Sequence, residues 1–191
     1  MSDMPEGYSI TSGKTEDITA LIAVDKAAST LFEPTGLLDA SALDDHVPTD
    51  VFETEIPLGN VFVARTSHGW PIGFALVRPK GNGLYLDQVS VHPDHGQKGV
   101  GRALILRVLS EAEQRKLPHV SLSTFRTIPW NGPFYGRLGF QEIPADKLEP
   151  YMREIEEAQR PFMDVSQRCF MRRKVRRNLF RFGLNKTDPE I

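Results

Sequence analysis

A change of pattern around three glycines constrains the fold of this chain more than any other feature. Residues 83–92 predict a β-strand, and glycines at 96, 99 and 101 follow it. From Val100 the apolar residues recur at helical spacing until the run ends before Pro118. A strand, a glycine-rich loop and a helix in this order place free backbone N–H groups and the positive end of a helix dipole at one point. The stretch predicts an anion site, and a simple tight turn is the alternative.

The spacing of these glycines argues against two common nucleotide-binding loops. The dinucleotide fingerprint G-x-G-x-x-G does not occur here, and a Walker A loop needs Lys and then Ser or Thr after its last glycine, where this chain has Arg102 and Ala103. We therefore expect neither NAD nor ATP as the ligand.

The remaining elements predict an α+β fold with a mostly antiparallel sheet. We expect one domain over residues 1–175 and a loose, basic C-terminal tail over 176–191. The predicted strands are 8–11, 61–65, 73–78, 83–92, 119–125, 140–143 and 166–175, and the predicted helices are 15–28, 49–55, 100–116, 131–138 and 147–159.

Composition places the chain among ordinary globular proteins. Of its 191 residues, 40% are hydrophobic and 25% are charged. Its one cysteine, Cys169, excludes an internal disulfide, and its alternating surroundings predict a packed thiol. No run of 18 apolar residues occurs, so we expect a cytoplasmic protein with no membrane partner.

Charge is unevenly distributed along the chain. Residues 1–60 contain twelve acids and two lysines, whereas residues 151–191 contain ten basic and six acidic residues. The basic run 168–181 has two interpretations, an edge strand protected by charge or a contact for RNA or an anionic lipid surface. It lacks regularly spaced stacking aromatics, so we do not expect nucleic acid as a partner.

Two segments resemble the GNAT superfamily of acyl-CoA-dependent N-acyltransferases. Residues 89–104 are similar to its pyrophosphate motif, R/Q-x-x-G-x-G/A, and residues 131–140 are similar to its helix ending in Tyr-x-x-x-Gly-Phe. The resemblance covers roughly residues 8–175. It implies a mixed, twisted sheet of six or seven strands with a central splay and helices on its faces. It also implies an enzyme that transfers acetyl directly from acetyl-CoA to a primary amine, and a homodimer is common in the family. A non-catalytic acyl-CoA sensor on the same fold is the alternative.

The resemblance also assigns the cofactor contacts. The family's Arg or Gln falls on Gly96 here, with Gln97 one place later, which leaves backbone amides as the expected phosphate donors. Asn131 stands nearer to Tyr135 than the family's asparagine does, so it either contacts the cofactor or caps its own helix. The implied cofactor-binding residues are Val89, Val91, Gln97, Lys98, Gly99, Val100, Gly101, Arg102, Ala103 and Asn131.

Two residues are candidates for proton transfer. Tyr135 matches the family's general acid, and a phenol is a reasonable donor to a thiolate of similar basicity. Its alternative role is an aromatic core residue. Asp87 is a candidate base, placed by two-residue alternation on the strand face of Tyr85 and Val89. Its alternative role is a partner for a structural arginine.

The segment 33–55 corresponds to the family's acceptor wall. It holds seven acids, His46 and no Lys or Arg, which predicts a small cationic amine or a basic peptide terminus as acceptor. Alternatively, these acids are solvated loop and helix-start residues. Residues 123–126 and Trp130 are expected nearby. We expect no metal, because His92, Asp94 and His95 lack the ligand spacing of a zinc site. The seven acids are Glu33, Asp39, Asp44, Asp45, Asp50, Glu53 and Glu55.

Overall fold

The computed structural model describes residues 5–38 and 43–175. Within these ranges the order of the elements follows the prediction closely, and the predicted tail at 176–191 lies outside them. No helix in the described ranges is long and apolar enough to cross a membrane. The strands are β1 (Tyr8–Ser12), β2 (Val61–Thr66), β3 (Pro71–Lys80), β4 (Gly83–Val91), β5 (His119–Phe125), β6 (Gln141–Glu142) and β7 (Arg168–Lys174). The helices are α1 (Ile18–Ser29), α2 (Thr49–Glu55), α3 (Val100–Gln114), α4 (Gly132–Arg137) and α5 (Pro150–Gln159).

The seven strands form one sheet in the order β1-β2-β3-β4-β5-β7-β6. All neighbouring pairs are antiparallel except β4 and β5, which are parallel. Their pairing runs only from Leu84 opposite Val120 to Leu86 opposite Leu122, although β4 continues to Val91 and β5 to Phe125. The two strands therefore separate beyond Leu86, and the predicted central splay is confirmed.

A β-bulge in β4 lies where the splay begins. Leu76 of β3 is opposite Gln88 and Val77 is opposite Leu86, so Asp87 is the extra residue. Leu86 and Val89 consequently both belong to the core on the α3 face, while Gln88 reaches Asp25 of α1 on the other face. The bulge shifts the alternation of β4 by one residue.

Two cores cover the faces of the sheet. Leu104, Ile105 and Val108 of α3 are fully buried against one face, together with Tyr135 and Phe140. Helices α1 and α2 cover the opposite face through Leu21 and Phe52, and α5 continues that layer through Met152. We call this second side, which also carries Tyr85, the acceptor face.

Asp17 fixes the start of α1 to the sheet. Its carboxylate accepts the backbone N–H of Lys14 at 2.8 Å and two N–H groups of Arg65 at 2.9 and 2.7 Å. Burial raises the pKa of Asp17, but these hydrogen bonds and the guanidinium outweigh that effect and hold the pKa below its usual value. The pair thereby joins α1 to β2.

Candidate functional site

The loop between β4 and α3 presents a row of free backbone donors. Gln97 and Gly99 adopt left-handed conformations, with φ of 56° and 83°. Within the described part of the chain, the N–H groups of residues 97–101 have no acceptor, and the first bond of the helix runs from Ala103 N–H to Gly99 O at 3.0 Å. Successive free N–H groups at the start of a 15-residue helix form an anion-binding concavity. The backbone therefore provides the free donors that the expected anion site requires.

Gly96 occupies the position where the family's motif has Arg or Gln, and its backbone has a local role in the loop. The Gly96 N–H donates to Pro93 O at 2.9 Å and closes a 3-10 turn over residues 93–95, so the free amides begin at Gln97. Gln97, Lys98 and Gly99 are exposed, whereas Val100 is buried and anchors the helix start. The loop thus offers backbone amides on an exposed surface.

The end of β4 and the start of α3 meet α4 at one point. A Cβ on Gly101 would lie 3.8 Å from the Phe134 ring and 3.9 Å from the Val91 side chain. Val89 and Val91 are half-buried and pack against the core on the α3 face. The geometry therefore brings the glycine loop, the pantetheine strand expected from the resemblance and the helix of Tyr135 into contact.

Tyr135 lies in the core beside the splay. Its ring centroid is 5.2 Å from that of Phe134 and 5.7 Å from that of Phe140, and the residue is only 7% exposed. Burial raises the pKa of its phenol well above the usual value, with a smaller opposing effect of Arg168. Tyr135 therefore stays protonated at neutral pH, as a general acid must be before the reaction.

Asn131 does not cap α4 through its side chain. Its Oδ1 accepts the hydroxyl of Thr124 at 2.7 Å, while only its backbone oxygen accepts an amide of the helix, from Tyr135 at 3.0 Å. Asn131 therefore occupies the N-cap position of α4, but its side chain is bound to β5 and does not form the expected cap. Its contact with a cofactor stays a prediction.

Asp87 lies on the acceptor face beside Arg78. Arg78 Nε is 3.3 Å from Asp87 Oδ2 and 3.1 Å from Glu55 Oε1, so one guanidinium serves two carboxylates. Burial raises the pKa of Asp87, Arg78 and Lys80 oppose that rise, and Glu55 adds to it. The predicted pairing with an arginine therefore exists, and the carboxyl is nevertheless more basic than an ordinary aspartate.

The predicted common face of Asp87 and Val89 is wrong. The bulge at Asp87 shifts the alternation, so Tyr85 and Asp87 lie on the acceptor face and the Val89 side chain packs on the α3 face. Tyr135 also belongs to the α3-side core. The two candidates for proton transfer therefore approach the splay from opposite faces of the sheet.

Most acids of the acceptor segment have local roles. Asp44 pairs with Lys26 of α1 at 3.2 Å, and Glu55 pairs with Arg78 of β3. Asp45 Oδ1 accepts the His46 N–H at 2.9 Å. Cations from outside the segment thus neutralise part of its charge, which favours the alternative of solvated or locally paired acids. Asp39 lies outside the described residues.

The structure adds an aromatic and a basic residue that the sequence did not single out. Phe32, in a 3-10 helix after α1, has its ring centroid 5.7 Å from that of Phe125 and 6.0 Å from that of Trp130. Arg168 places its Cζ 4.8 Å from the centroid of the Phe125 ring. These contacts join the acceptor segment to the end of β5, as expected, and no local pattern marks either residue.

Two further groups do not form reactive sites. Cys169 is buried in the core, where burial raises its pKa to about 11, as expected for a packed thiol. His95 Nδ1 lies 3.0 Å from the Tyr8 hydroxyl. Among residues 5–38 and 43–175, no three His, Cys, Asp or Glu side chains are close enough to hold a metal ion.

Comparisons with known proteins agree with this architecture. Residues 57–142, from before β2 to β6, match the family model described as an acetyltransferase (GNAT) domain. The fold is similar to PaiA N-acetyltransferase from Thermoplasma acidophilum, solved with coenzyme A, with a TM-score of 0.69 at 16% identity over 87% of this chain and 98% of that one. It is also similar to the ribosomal-protein-S18-alanine N-acetyltransferase of Escherichia coli, with a TM-score of 0.60 at 18% identity over 92% and 99%.

A third similar structure is the N-acetylglutamate synthase of Neisseria gonorrhoeae, complexed with coenzyme A and N-acetyl-glutamate. Its TM-score is 0.67 at 18% identity over 89% of this chain, and the chain spans 35% of the length of that protein. At these identities the likeness concerns the fold, which is the one expected from the sequence.

Proposed function

We propose that this chain, which has the fold and the domain signature of the GNAT superfamily, transfers an acetyl group from acetyl-CoA to a primary amine. The observation that carries the proposal is the row of free N–H groups at residues 97–101, at the start of α3 and next to the splay. These amides, with that of Arg102, would bind the pyrophosphate, whereas the Ala103 N–H, also expected there, is already bound to Gly99 O. At Val89 and Val91, β4 is paired with β3 but no longer with β5. This free edge of β4 would hold the pantetheine arm, and Asn131 would border it.

The proposed reaction is a direct transfer with two proton movements. The amine nitrogen attacks the thioester carbonyl carbon, the C–N bond forms and the C–S bond breaks. Asp87 takes the proton of the amine, directly or through water, and the N–H of Val89 stabilises the developing oxyanion. Tyr135 gives its proton to the departing thiolate and regains one from solvent.

The proposed acceptor arrives as an ammonium ion at the acceptor face. Glu33 and Glu53 are exposed in the acceptor segment, and the Phe32 ring packs against Trp130 and the buried Phe125. The exposed acids support the attraction of a cation, which loses one proton to solvent before the neutral amine attacks and gives its second proton to Asp87. The presence of Tyr135 at the position of the family's general acid favours catalysis over the alternative of a non-catalytic sensor.

Calorimetry with acetyl-CoA tests the proposal, with NADH as the control ligand. We expect micromolar binding of acetyl-CoA and none of NADH, followed by release of free CoA thiol in a screen of primary amines. Absence of heat with acetyl-CoA would contradict the proposed function. Binding without thiol release on any amine would instead favour the sensor.

A further inference from the structure

Arg168 is a guanidinium without a carboxylate partner in the described part of the chain. It begins β7 opposite Phe125 and is half-buried on the acceptor face. Its Nε donates to the Ser123 hydroxyl at 3.2 Å, and its Cζ stacks over the Phe125 ring. No Asp or Glu among residues 5–38 and 43–175 forms an ion pair with it.

This lack of an anion is costly for a cation that is partly withdrawn from water. Burial lowers the pKa of Arg168, and the groups that oppose this effect are Tyr85, Cys169 and Tyr135, which are all neutral at pH 7. Buried charges in proteins are normally paired, because an isolated charge loses its hydration without compensation. The guanidinium therefore has the environment of a group that receives its anion from a ligand.

The donors of Arg168 are positioned for such a ligand. Nε is bound to Ser123, whereas neither terminal nitrogen has an acceptor among the described residues. A cavity of about 160 Å³ beside Arg168 is also lined by Ser123 and Phe170. Its two carboxylates, Glu142 and Glu156, are already paired with Arg126 and Arg160. The planar fork of a guanidinium binds a carboxylate through two parallel hydrogen bonds.

Arg126 lines the same cavity, and its guanidinium has hydrogen-bond acceptors within the chain. Its guanidinium pairs with Glu142 at 3.1 Å and donates to the carbonyl oxygen of Ser166 at 2.8 Å. Those hydrogen bonds raise the pKa of Arg126, in contrast to that of Arg168. Arg126 is therefore the matched control for any experiment on Arg168.

Arg168 and Asp87 act on the same tyrosine. Burial raises the pKa of Tyr85, Asp87 raises it further and Arg168 lowers it. Asp87, Tyr85 and Arg168 all belong to the acceptor face of the sheet. An acceptor that carries an amine and a carboxylate complements this pair of charges.

We propose that Arg168 binds the carboxylate of the acceptor, and that the acceptor is an amino-carboxylate such as a free α-amino acid. The assignment rests on the proposed acetyl transfer and narrows its acceptor. The amine is directed to Asp87, the carboxylate to the terminal nitrogens of Arg168, and the side chain to the surface of Phe32 and Trp130.

The test compares L-amino acids with their C-terminal amides as acceptors, by release of CoA thiol. For the wild type we expect kcat/KM to be roughly 10- to 100-fold higher for the amino acids, as a charge-assisted hydrogen-bonded pair provides. Arg168→Gln should abolish this preference by lowering the values for the amino acids, with those for the amides and the affinity for acetyl-CoA unchanged. Arg126→Gln should keep the preference.

The melting temperature of each variant is measured to detect a folding defect. Arg168→Lys is the second variant, used in case Arg168→Gln does not fold. The lysine keeps the charge without the fork, so an intermediate preference is expected. Equal activity of the wild type on acids and amides, or no activity on any amino acid despite acetyl-CoA binding, would overturn the assignment. Equal losses on both acceptors in Arg168→Gln would do the same. A wild type that does not bind acetyl-CoA would overturn the proposed function and this assignment together.

Discussion

Replacing Tyr135 by phenylalanine separates its catalytic role from its packing role. The ring remains between Phe134 and Phe140, at centroid distances of 5.2 and 5.7 Å, so the hydrophobic contacts are kept. No hydrogen bond to a described residue involves the hydroxyl, and its removal should change the free energy of unfolding by less than about 1 kcal/mol. Loss of a general acid costs about 10²- to 10⁴-fold in rate. We expect a fall in kcat of that size.

The assay follows CoA thiol release at saturating acetyl-CoA, and calorimetry gives the affinity for acetyl-CoA. Tyr151→Phe is the control, because burial also raises the pKa of Tyr151 and its hydroxyl contacts Ser121 rather than a residue of the proposed reaction. We expect that variant to keep kcat within about threefold, since the proposed acid role belongs to Tyr135. A Tyr135→Phe enzyme that keeps half of its kcat, or a larger loss in Tyr151→Phe, would refute the assignment.

Three further predictions concern the base, the loop and the fold. Asp87→Asn should lower kcat about 100-fold at pH 7. Because burial raises the pKa of Asp87, the wild-type rate should fall on acidification at a pH above the usual aspartate value of 3.8. A variant with the same pH–rate profile as the wild type would contradict this role of Asp87. Gly99→Ala should weaken acetyl-CoA binding several-fold in calorimetry, because an alanine is strained at a φ of +83°. Gly101→Ala should bind acetyl-CoA as the wild type does, because its methyl group would lie at ordinary contact distances from its neighbours. Asp17→Asn should destabilise the protein by about 2 kcal/mol at pH 7 in urea unfolding. The folded-state pKa of Asp17 is depressed, so this contribution is fully present above pH 3.8 and is lost as the pH falls through the lower folded-state pKa. A difference that does not decrease at all below pH 3.8 would exclude the ion pair as its cause.

Local patterns predicted most of this fold. Helix α2 and strand β5 occupy the predicted residues, 49–55 and 119–125, because hydrophobic periodicity and chain breaks act over a few residues. The glycine loop is equally local, since its free amides follow from a strand end, left-handed residues and a helix start. The site that depends on backbone geometry was therefore predictable from the sequence.

The parts that depend on side-chain partners were not predictable in this way. The bulge at Asp87 comes from the register between β3 and β4, which involves residues of two strands, so simple alternation placed Val89 on the wrong face. Asn131 bonds to Thr124, seven residues earlier on another element, and the cap expected from its position does not form. Arg168 looked like the start of a basic run, and only tertiary packing distinguishes it from Arg172 and Arg173, which have partners in Glu149 and the Leu138 carbonyl.

The bulge also explains how one strand can serve two substrates. The backbone of β4 beyond Leu86 borders the splay, where the thioester is proposed to lie, while the extra residue turns Asp87 toward the acceptor face. Tyr135 reaches the same region from the α3-side core. An amine that enters from the acceptor face would meet its base on that face, and the departing thiolate would meet its acid on the other. Two proton carriers on opposite sides of the sheet cannot neutralise each other directly, so each can keep the protonation state that its step requires.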